Sequence, residues 1–132
     1  MMILQTARMR LPTLQRAGFN TVARAFSTSS HRFAQFVVVA RDYTDADAPS
    51  RRLSIRPVHL ERAAKATADG KVITGGAILD SHDKNKMVGS VMIFEMDSVE
   101  EVERYMQEDP YVKNKVWASW EILSFRPAPL TK

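Results

Sequence analysis

From residue 33 onward, apolar runs alternate with polar stretches along the chain. Four runs rich in β-branched and aromatic residues predict strands, at residues 33–40, 71–79, 87–96 and 117–125. A polar stretch at residues 41–54, which contains Asp, Pro and Ser, predicts a loop after the first strand. The pattern therefore indicates a sheet of four strands.

Two segments between these strands have helical periodicity. Pro57 fits the first turn of the first helix, which ends at Asp69-Gly70. The apolar face of this helix is marked by Leu60, Ala63, Ala64 and Thr67. The second helix begins with a capping box, because Ser98 is followed three residues later by Glu101. Asp109-Pro110 then breaks this helix before the last strand.

The order β-α-β-β-α-β predicts an α+β fold of the ferredoxin-like type, a four-stranded antiparallel sheet with two helices on one face. In such a sheet, strands covered on one face only should alternate apolar and polar residues. Residues 36–39 and 91–94 are instead apolar on both faces. We therefore expect the bare face to pack against a second copy of the chain, which makes the protein a homodimer through its sheet.

Residues 1–26 have the composition of a mitochondrial presequence, which extends loosely to about residue 31. This segment contains four arginines and no acidic residue, and the first acidic residue of the chain is Asp42. Arg24-Ala25-Phe26-Ser27 resembles a matrix-peptidase cleavage pattern, so we expect the mature chain to begin near Ser27 in the matrix. The alternatives are a basic disordered tail or a chloroplast signal. The domain itself spans residues 33–127, and residues 128–132 form a tail.

Charge and composition exclude several classes of function. The net charge is +4, but without the four leader arginines 15 of the 19 basic residues remain against 15 acidic ones. A neutral domain argues against nucleic-acid binding, and the third strand has only Phe94 as a stacking residue for RNA. No apolar run is long enough to span a membrane, so we expect no membrane contact after import. The absence of cysteine excludes disulfides and thiol chemistry.

Few residues of the domain suggest chemistry. His59 lies near the predicted start of the first helix, where the positive helix end favours a neutral imidazole that can accept a proton; a surface histidine is the alternative. His82 lies in a polar turn and is expected to be solvated. Asp109 can be explained as the cap of a helix that begins at Pro110. No phosphate-binding glycine loop or metal-ligand cluster is present, so we expect neither cofactor nor metal.

Four motifs in order resemble the YciI-like (YCII-related) family. Residues 52–60 have the pattern R-x-S-x-R-P-x-H-L, and residues 69–76 begin with Asp-Gly and end with Gly75-Gly76. Residues 89–95 resemble the third strand of the family, and residues 108–112 contain its D-P-Y signature. The resemblance covers about residues 33–127 and implies the dimeric ferredoxin-like (α+β barrel) fold. One departure is Ala77, where the family often has proline.

The resemblance implies an active-site dyad of His59 and Asp109, a base and the carboxylate that orients it. Candidates to line the substrate pocket are Arg52, Ser54, Arg56, Gly76, Ser90 and Tyr111. The function we expect is a cofactor-independent isomerase or lyase that removes a proton next to a carbonyl of a small, anionic substrate. The alternative is a small-molecule-binding or scaffold dimer without turnover.

Overall fold

The computed structural model describes residues 34–131. Its elements are β1 Ala34–Asp42, α1 Ala48–Ala68, β2 Val72–Leu79, β3 Met87–Met96, α2 Val99–Gln107, α3 Pro110–Lys113 and β4 Trp117–Phe125. The strands form one sheet in the order β2-β3-β1-β4, and each neighbouring pair is antiparallel. The predicted α+β fold is therefore confirmed, with α3 as a short additional helix.

The core lies between one face of the sheet and the helices. On β1, Phe36, Val38 and Ala40 are buried, while the residues between them are only half-buried. The same alternation on β3 buries its even-numbered residues from Ser90 to Met96. From α2, Val102 and Met106 join this core at helical spacing. The two central strands, β1 and β3, thus each have one face in the core, as period-two geometry requires.

The other face of the sheet, which we call the uncovered face, carries an apolar patch. It consists of Val37 and Val39 on β1, Val91 and Ile93 on β3, and Leu123 on β4. The strand register places Val37 beside both Ile93 and Leu123.

Within residues 34–131, no helix is long and apolar enough to cross a membrane.

The start of α1 corrects the sequence-based prediction. The helix begins at Ala48, so half of the loop predicted at residues 41–54 is helical, and Pro49 occupies the first turn that Pro57 was expected to occupy. Pro57 lies inside the helix, where it removes one backbone hydrogen bond. The carbonyl that loses its donor belongs to Leu53, which is exposed, so water can replace the missing partner. His59 is consequently in the middle of α1, and the argument from the positive helix end does not apply to it.

The two later helix starts agree with their predicted caps. Glu101 N–H donates to Ser98 Oγ at 3.2 Å, which confirms the predicted cap at the start of α2. The Glu101 carboxylate reaches back to the backbone N–H of Asp97. Asp109 caps α3, because the Tyr111 N–H donates to Asp109 Oδ1 at 2.9 Å. Both caps satisfy backbone donors that a helix start leaves unpaired.

Candidate active site

Helix α1 presents a line of buried residues that are seven positions apart. Arg52, His59 and Ala66 lie on this line, which we call the buried stripe. Seven residues are almost two full turns of an α-helix, so these side chains point in nearly the same direction. The stripe is unusual because two of its three members are polar. Apolar Leu53 and Val58 are exposed instead, which reverses the usual amphipathic pattern.

His59 contacts a fully buried carboxylate. The distance between His59 Nδ1 and Asp109 Oδ1 is 2.9 Å, and Asp109 has no solvent exposure. An ionised carboxylate only accepts hydrogen bonds, so Nδ1 is the donor, and in the neutral imidazole Nε2 carries the free lone pair. This hydrogen-bond pattern assigns the tautomer, and it leaves a proton acceptor on the far edge of the ring.

Both oxygens of Asp109 are held by donors. Besides His59, Oδ1 accepts the Tyr111 N–H that caps α3. Oδ2 accepts from Arg62 Nη1 at 2.9 Å, and Arg62 also donates to the Tyr105 carbonyl at 2.9 Å. The Arg62 guanidinium lies 3.8 Å above the Tyr105 ring. These donors fix the orientation of the Asp109 carboxylate. Its hydrogen bond with Nδ1 in turn fixes the orientation of the His59 imidazole.

Aromatic rings hold the imidazole from two sides. Tyr111 stacks on His59 with centroids 3.9 Å apart and planes 12° from parallel. Trp117 meets the same imidazole edge-on, at 5.4 Å and 82°. Burial raises the pKa of the Tyr111 hydroxyl, while the nearby Arg52 and Arg56 act in the opposite direction. Together with Asp109, these rings leave His59 little rotational freedom.

A cavity of about 400 Å³ opens beside this arrangement, between α1 and the strands β2 and β3. Its polar side chains are Arg56, His59, Thr67, Thr74, Ser90 and Tyr111. Its apolar side chains are Leu60, Ala63, Ala64, Val72, Ile73, Ala77 and Met92. The helix face predicted from Leu60 to Thr67 thus lines the cavity instead of the core. A mostly apolar cavity with a few convergent polar groups is typical of a small-molecule site.

Arg52 lies behind the cavity and does not line it. Its Nη1 donates to Asp42 Oδ1 and Oδ2 at 2.8 and 2.9 Å, and its Nη2 donates to Ser90 Oγ at 2.9 Å. The guanidinium also lies 4.8 Å from the Tyr111 ring centroid. Burial raises the pKa of Asp42, although the charge and hydrogen bond of Arg52 oppose that shift. The expectation that Arg52 lines the substrate pocket is corrected, because its guanidinium nitrogens Nη1 and Nη2 already donate to Asp42 and Ser90.

Most of the other residues named from the sequence meet at this cavity. Arg56, His59, Gly76, Ser90 and Tyr111 line it, and Asp109 lies directly behind His59. Ser54 does not: it borders a separate surface groove together with Ser50, Arg51, Ile55 and Asn114. Ser54 and His59 are five positions apart in the helix, a rotation of about 140°, so the two side chains point to different sides of α1. The expectation that Ser54 lines the substrate pocket is corrected.

One residue of the site, Arg62, was missed in the sequence. Arg62 holds Asp109, and the signal that could have found it is its position three residues after His59, on a neighbouring part of the same helix face. Of the Gly75-Gly76 pair in the second-strand motif, Gly75 is the residue at a close approach: a Cβ there would lie 2.9 Å from the Met92 side chain and 3.2 Å from the Val91 carbonyl. A Cβ at Gly76 would meet open space. The close approach of β2 to β3 therefore depends on Gly75.

Fold and site together define a class of protein, a ferredoxin-like α+β domain with a buried histidine–carboxylate pair beside a small-molecule cavity. The family model of the YCII-related domain matches residues 34–126. The chain belongs to this family, which confirms the resemblance inferred from its motifs.

Similar proteins agree with this assignment. Protein YciI of Escherichia coli is 33% identical over 95 residues, which are 69% of this chain and 95% of that protein. The Emericella nidulans protein named "Derivative of benzaldehyde biosynthesis cluster protein C" is 37% identical over 67 residues, 47% of this chain and 68% of that protein. Among solved structures, 5-chloro-2-hydroxyhydroquinone dehydrochlorinase from Burkholderia phenoliruptrix, in complex with 2,5-dihydroxybenzoquinone, has a TM-score of 0.62 at 24% identity. This likeness covers 71% of this chain and 95% of that one, and it supports the fold.

Proposed function

We propose that the domain is a cofactor-independent enzyme of the isomerase or lyase type that acts on a small anionic molecule. The observation that carries this proposal is the 2.9 Å contact between His59, which lines the cavity, and the fully buried Asp109. A histidine oriented in this way is the usual form of a general base. His59 and Asp109 are therefore the proposed base and its positioning carboxylate.

In the proposed reaction, His59 Nε2 takes a proton from a carbon next to a carbonyl. The C–H electron pair moves into the substrate and produces an enolate, while Asp109 stabilises the imidazolium through Nδ1. Return of the same proton to another carbon completes an isomerisation. Departure of a leaving group together with its electron pair completes an elimination, after which His59 gives the proton to solvent.

Arg56 is the proposed contact for the anionic group of the substrate. Its side chain lines the cavity, and it forms no ion pair within residues 34–131. Arg62, Arg52 and Arg51 are each held by carboxylates and cannot take this role. A guanidinium can hold a carboxylate by two parallel hydrogen bonds. The substrate would then place its acid on Arg56 and its reacting carbon near His59.

The test measures exchange of carbon-bound hydrogen for deuterium in D₂O by NMR, with small keto acids and hydroxylated aromatic acids as the panel. This exchange reports proton abstraction even when the final product is unknown. We expect His59→Asn to lower the exchange rate by about 100-fold or more. His82→Asn is the matched control, because His82 is exposed and outside the cavity, and it should leave the rate unchanged.

Two outcomes would contradict the proposal. Full exchange activity in His59→Asn would mean that His59 is not the base. Tight binding of a panel compound by the wild-type protein, without any exchange or turnover, would favour the binding or scaffold dimer instead. Binding is measured separately by isothermal titration calorimetry, so the two outcomes can be told apart.

We also propose that the domain forms a homodimer through the uncovered face. Val37, Val39, Val91 and Ile93 are half-buried, and together with Leu123 they make a contiguous apolar patch across three strands. Ile93→Lys places a charge in this patch and should convert the dimer to a monomer in analytical ultracentrifugation. Leu130→Lys, in the exposed tail, is the control and should remain dimeric. A wild-type protein that sediments as a monomer would refute the proposal.

The proposed location is the mitochondrial matrix. The support is the arginine-rich segment without acidic residues at positions 1–26, which lies outside the described residues. Import of the full chain into isolated mitochondria, followed by N-terminal sequencing, should yield a mature chain that begins near Ser27. An unprocessed chain that stays accessible to external protease would contradict this location.

A further inference from the structure

Ser90 is a buried residue of β3 that lines the cavity with its hydroxyl already in use as an acceptor. Its Oγ accepts from Arg52 Nη2 at 2.9 Å and from Trp117 Nε1 at 3.2 Å. Guanidinium and indole N–H groups donate only, so the direction of both hydrogen bonds is certain. A hydroxyl oxygen has two acceptor positions, and both are therefore occupied.

The hydroxyl of Ser90 can still donate its own hydrogen in one hydrogen bond. Within residues 34–131, no group accepts it. Ser90 lies in the cavity wall, which is the place where an acceptor on a ligand can reach it. The serine is thus a hydrogen-bond donor whose partner is absent from the protein.

Arg52 makes this donor stronger and keeps it in place. Its guanidinium polarises the Ser90 hydroxyl through the 2.9 Å hydrogen bond, since donors chained to a charged group strengthen one another. Asp42 holds the same guanidinium from the other side, at 2.8 Å, so Arg52 cannot turn into the cavity. Because Asp42 balances its charge, the arginine acts on a ligand mainly through the Ser90 hydroxyl.

We propose that Ser90 donates a hydrogen bond to the carbonyl oxygen of the substrate and stabilises the charge that collects there as His59 removes the proton. This inference rests on the proposed function and adds a second group that contacts the reacting atoms. When the C–H bond breaks, its electron pair forms the enolate, and the negative charge lies on the oxygen that Ser90 contacts. Ser90 transfers no proton in this step, so its hydroxyl is unchanged at the end. The ligand class is a ring or chain with an oxygen that accepts hydrogen bonds and gains charge.

The experiment measures binding of 2,5-dihydroxybenzoquinone by isothermal titration calorimetry, because this compound presents anionic, hydrogen-bond-accepting oxygens on a small ring. Loss of a hydrogen bond to a charged acceptor should weaken binding by Ser90→Ala about 10- to 100-fold. Ser90→Thr keeps the hydroxyl and should bind within about threefold of the wild type. Ser124→Ala, at an exposed serine of β4, is the matched control and should bind as the wild type does.

Wild-type affinity in Ser90→Ala would overturn the proposal, and so would failure of the wild-type protein to bind the quinone. Ser90→Ala leaves two buried donors without an acceptor, so its fold is checked by circular dichroism. If it does not fold, Ser90→Cys replaces it, because a thiol is a weak donor and should reproduce the loss of affinity.

The proposed function fails in a different way. His59→Asn is expected to keep quinone binding within a few-fold while losing deuterium exchange. If Ser90→Ala loses quinone binding while His59→Asn keeps deuterium exchange, Ser90 is supported as the hydrogen-bond donor and His59 is refuted as the base. The two assignments are therefore tested independently.

Discussion

Two neighbouring arginines on α1 make the same type of ion pair in opposite surroundings. Arg51 contacts both oxygens of Asp45, at 2.7 and 2.8 Å, and the two side chains are 31% and 49% exposed. Arg52 contacts both oxygens of Asp42 at nearly the same distances, but those side chains are only 4% and 6% exposed. Distance therefore does not distinguish the two pairs, and burial does.

The two aspartates respond in opposite directions. The side-chain hydrogen bond from Arg51 lowers the pKa of Asp45 from 3.8 to about 2, and desolvation opposes this shift only in part. Burial raises the pKa of Asp42 above 3.8, and the neighbouring Arg52 only reduces this shift. An arginine partner by itself does not determine whether a carboxyl group becomes more or less acidic.

The two pairs also lead to different parts of the molecule. Arg51 continues to the backbone carbonyl of Lys115, at 2.8 Å, and so ties the start of α1 to the segment before β4. Arg52 continues to Ser90 and to the Tyr111 ring, which lines the cavity. The exposed pair connects surface segments, whereas the buried pair supports the candidate site from behind.

The largest expected effect that separates the pairs is on stability. Arg52→Met leaves the Asp42 carboxylate buried without its cation, and such a loss costs about 3–5 kcal/mol of unfolding free energy. Arg51→Met is the matched control, and its loss should be much smaller because water solvates the freed Asp45. Urea denaturation followed by circular dichroism measures both values.

Equal losses in the two variants would show that burial does not separate the pairs. The double variant Asp42→Asn with Arg52→Met should be more stable than Arg52→Met alone, because no unpaired charge then remains buried.

The next effect is on the pH dependence of the two carboxyl groups. Asp45 has a lowered pKa, so it stabilises the fold above pH 3.8, and this contribution is lost as the pH falls toward about 2. Asp42 has a raised pKa, so its charged form opposes folding, and this cost disappears as the pH falls through that raised value. Carbon-13 NMR of the side-chain carboxyls should show Asp42 taking up its proton at higher pH than Asp45. The reverse order would contradict the assignment of burial as the cause.

The smallest effect is on salt dependence. At an ionic strength of about 1 M the screening length is about 3 Å, which weakens exposed ion pairs far more than buried ones. The destabilisation caused by Asp45→Asn should therefore shrink in high salt, while that caused by Arg52→Met should persist. The measurement is the free energy of unfolding of each variant at low and high sodium chloride. Destabilisation by Asp45→Asn that persists in high salt would argue that this pair is effectively buried.

All four strands and both main helices could be predicted from the sequence, because strand residues and caps act over short distances. The start of α1 could not, since Pro49 and Pro57 both suit a first helical turn and only the fold shows that Pro57 is tolerated at an exposed position. The face of α1 was also misjudged: its apolar line from Leu60 to Thr67 borders the cavity, while Arg52 and His59 are buried. Amphipathic patterns indicate the core only when polar residues are outside it.

The candidate site was predicted in part for a related reason. His59 and Asp109 are 50 residues apart, so only the combined family motifs could associate them. Ser54 was included because it lies within the same motif, but helix rotation turns it away. Arg62 was omitted because its partner Asp109 is 47 residues distant; its position three residues after His59 indicates only a shared helix face and does not identify that partner.

The Tyr111 amide at the start of α3 can report the state of the histidine–carboxylate pair, because it donates to the same oxygen of Asp109 as His59 does. Asp109 Oδ1 accepts from the Tyr111 amide and from His59 Nδ1 at once, each at 2.9 Å. Any redistribution of charge along the histidine–carboxylate hydrogen bond must therefore alter the electron density around one backbone amide proton. The chemical shift of the Tyr111 amide, in a spectrum of the ligand-free or the occupied protein, follows the state of the site without a label or a chromophore.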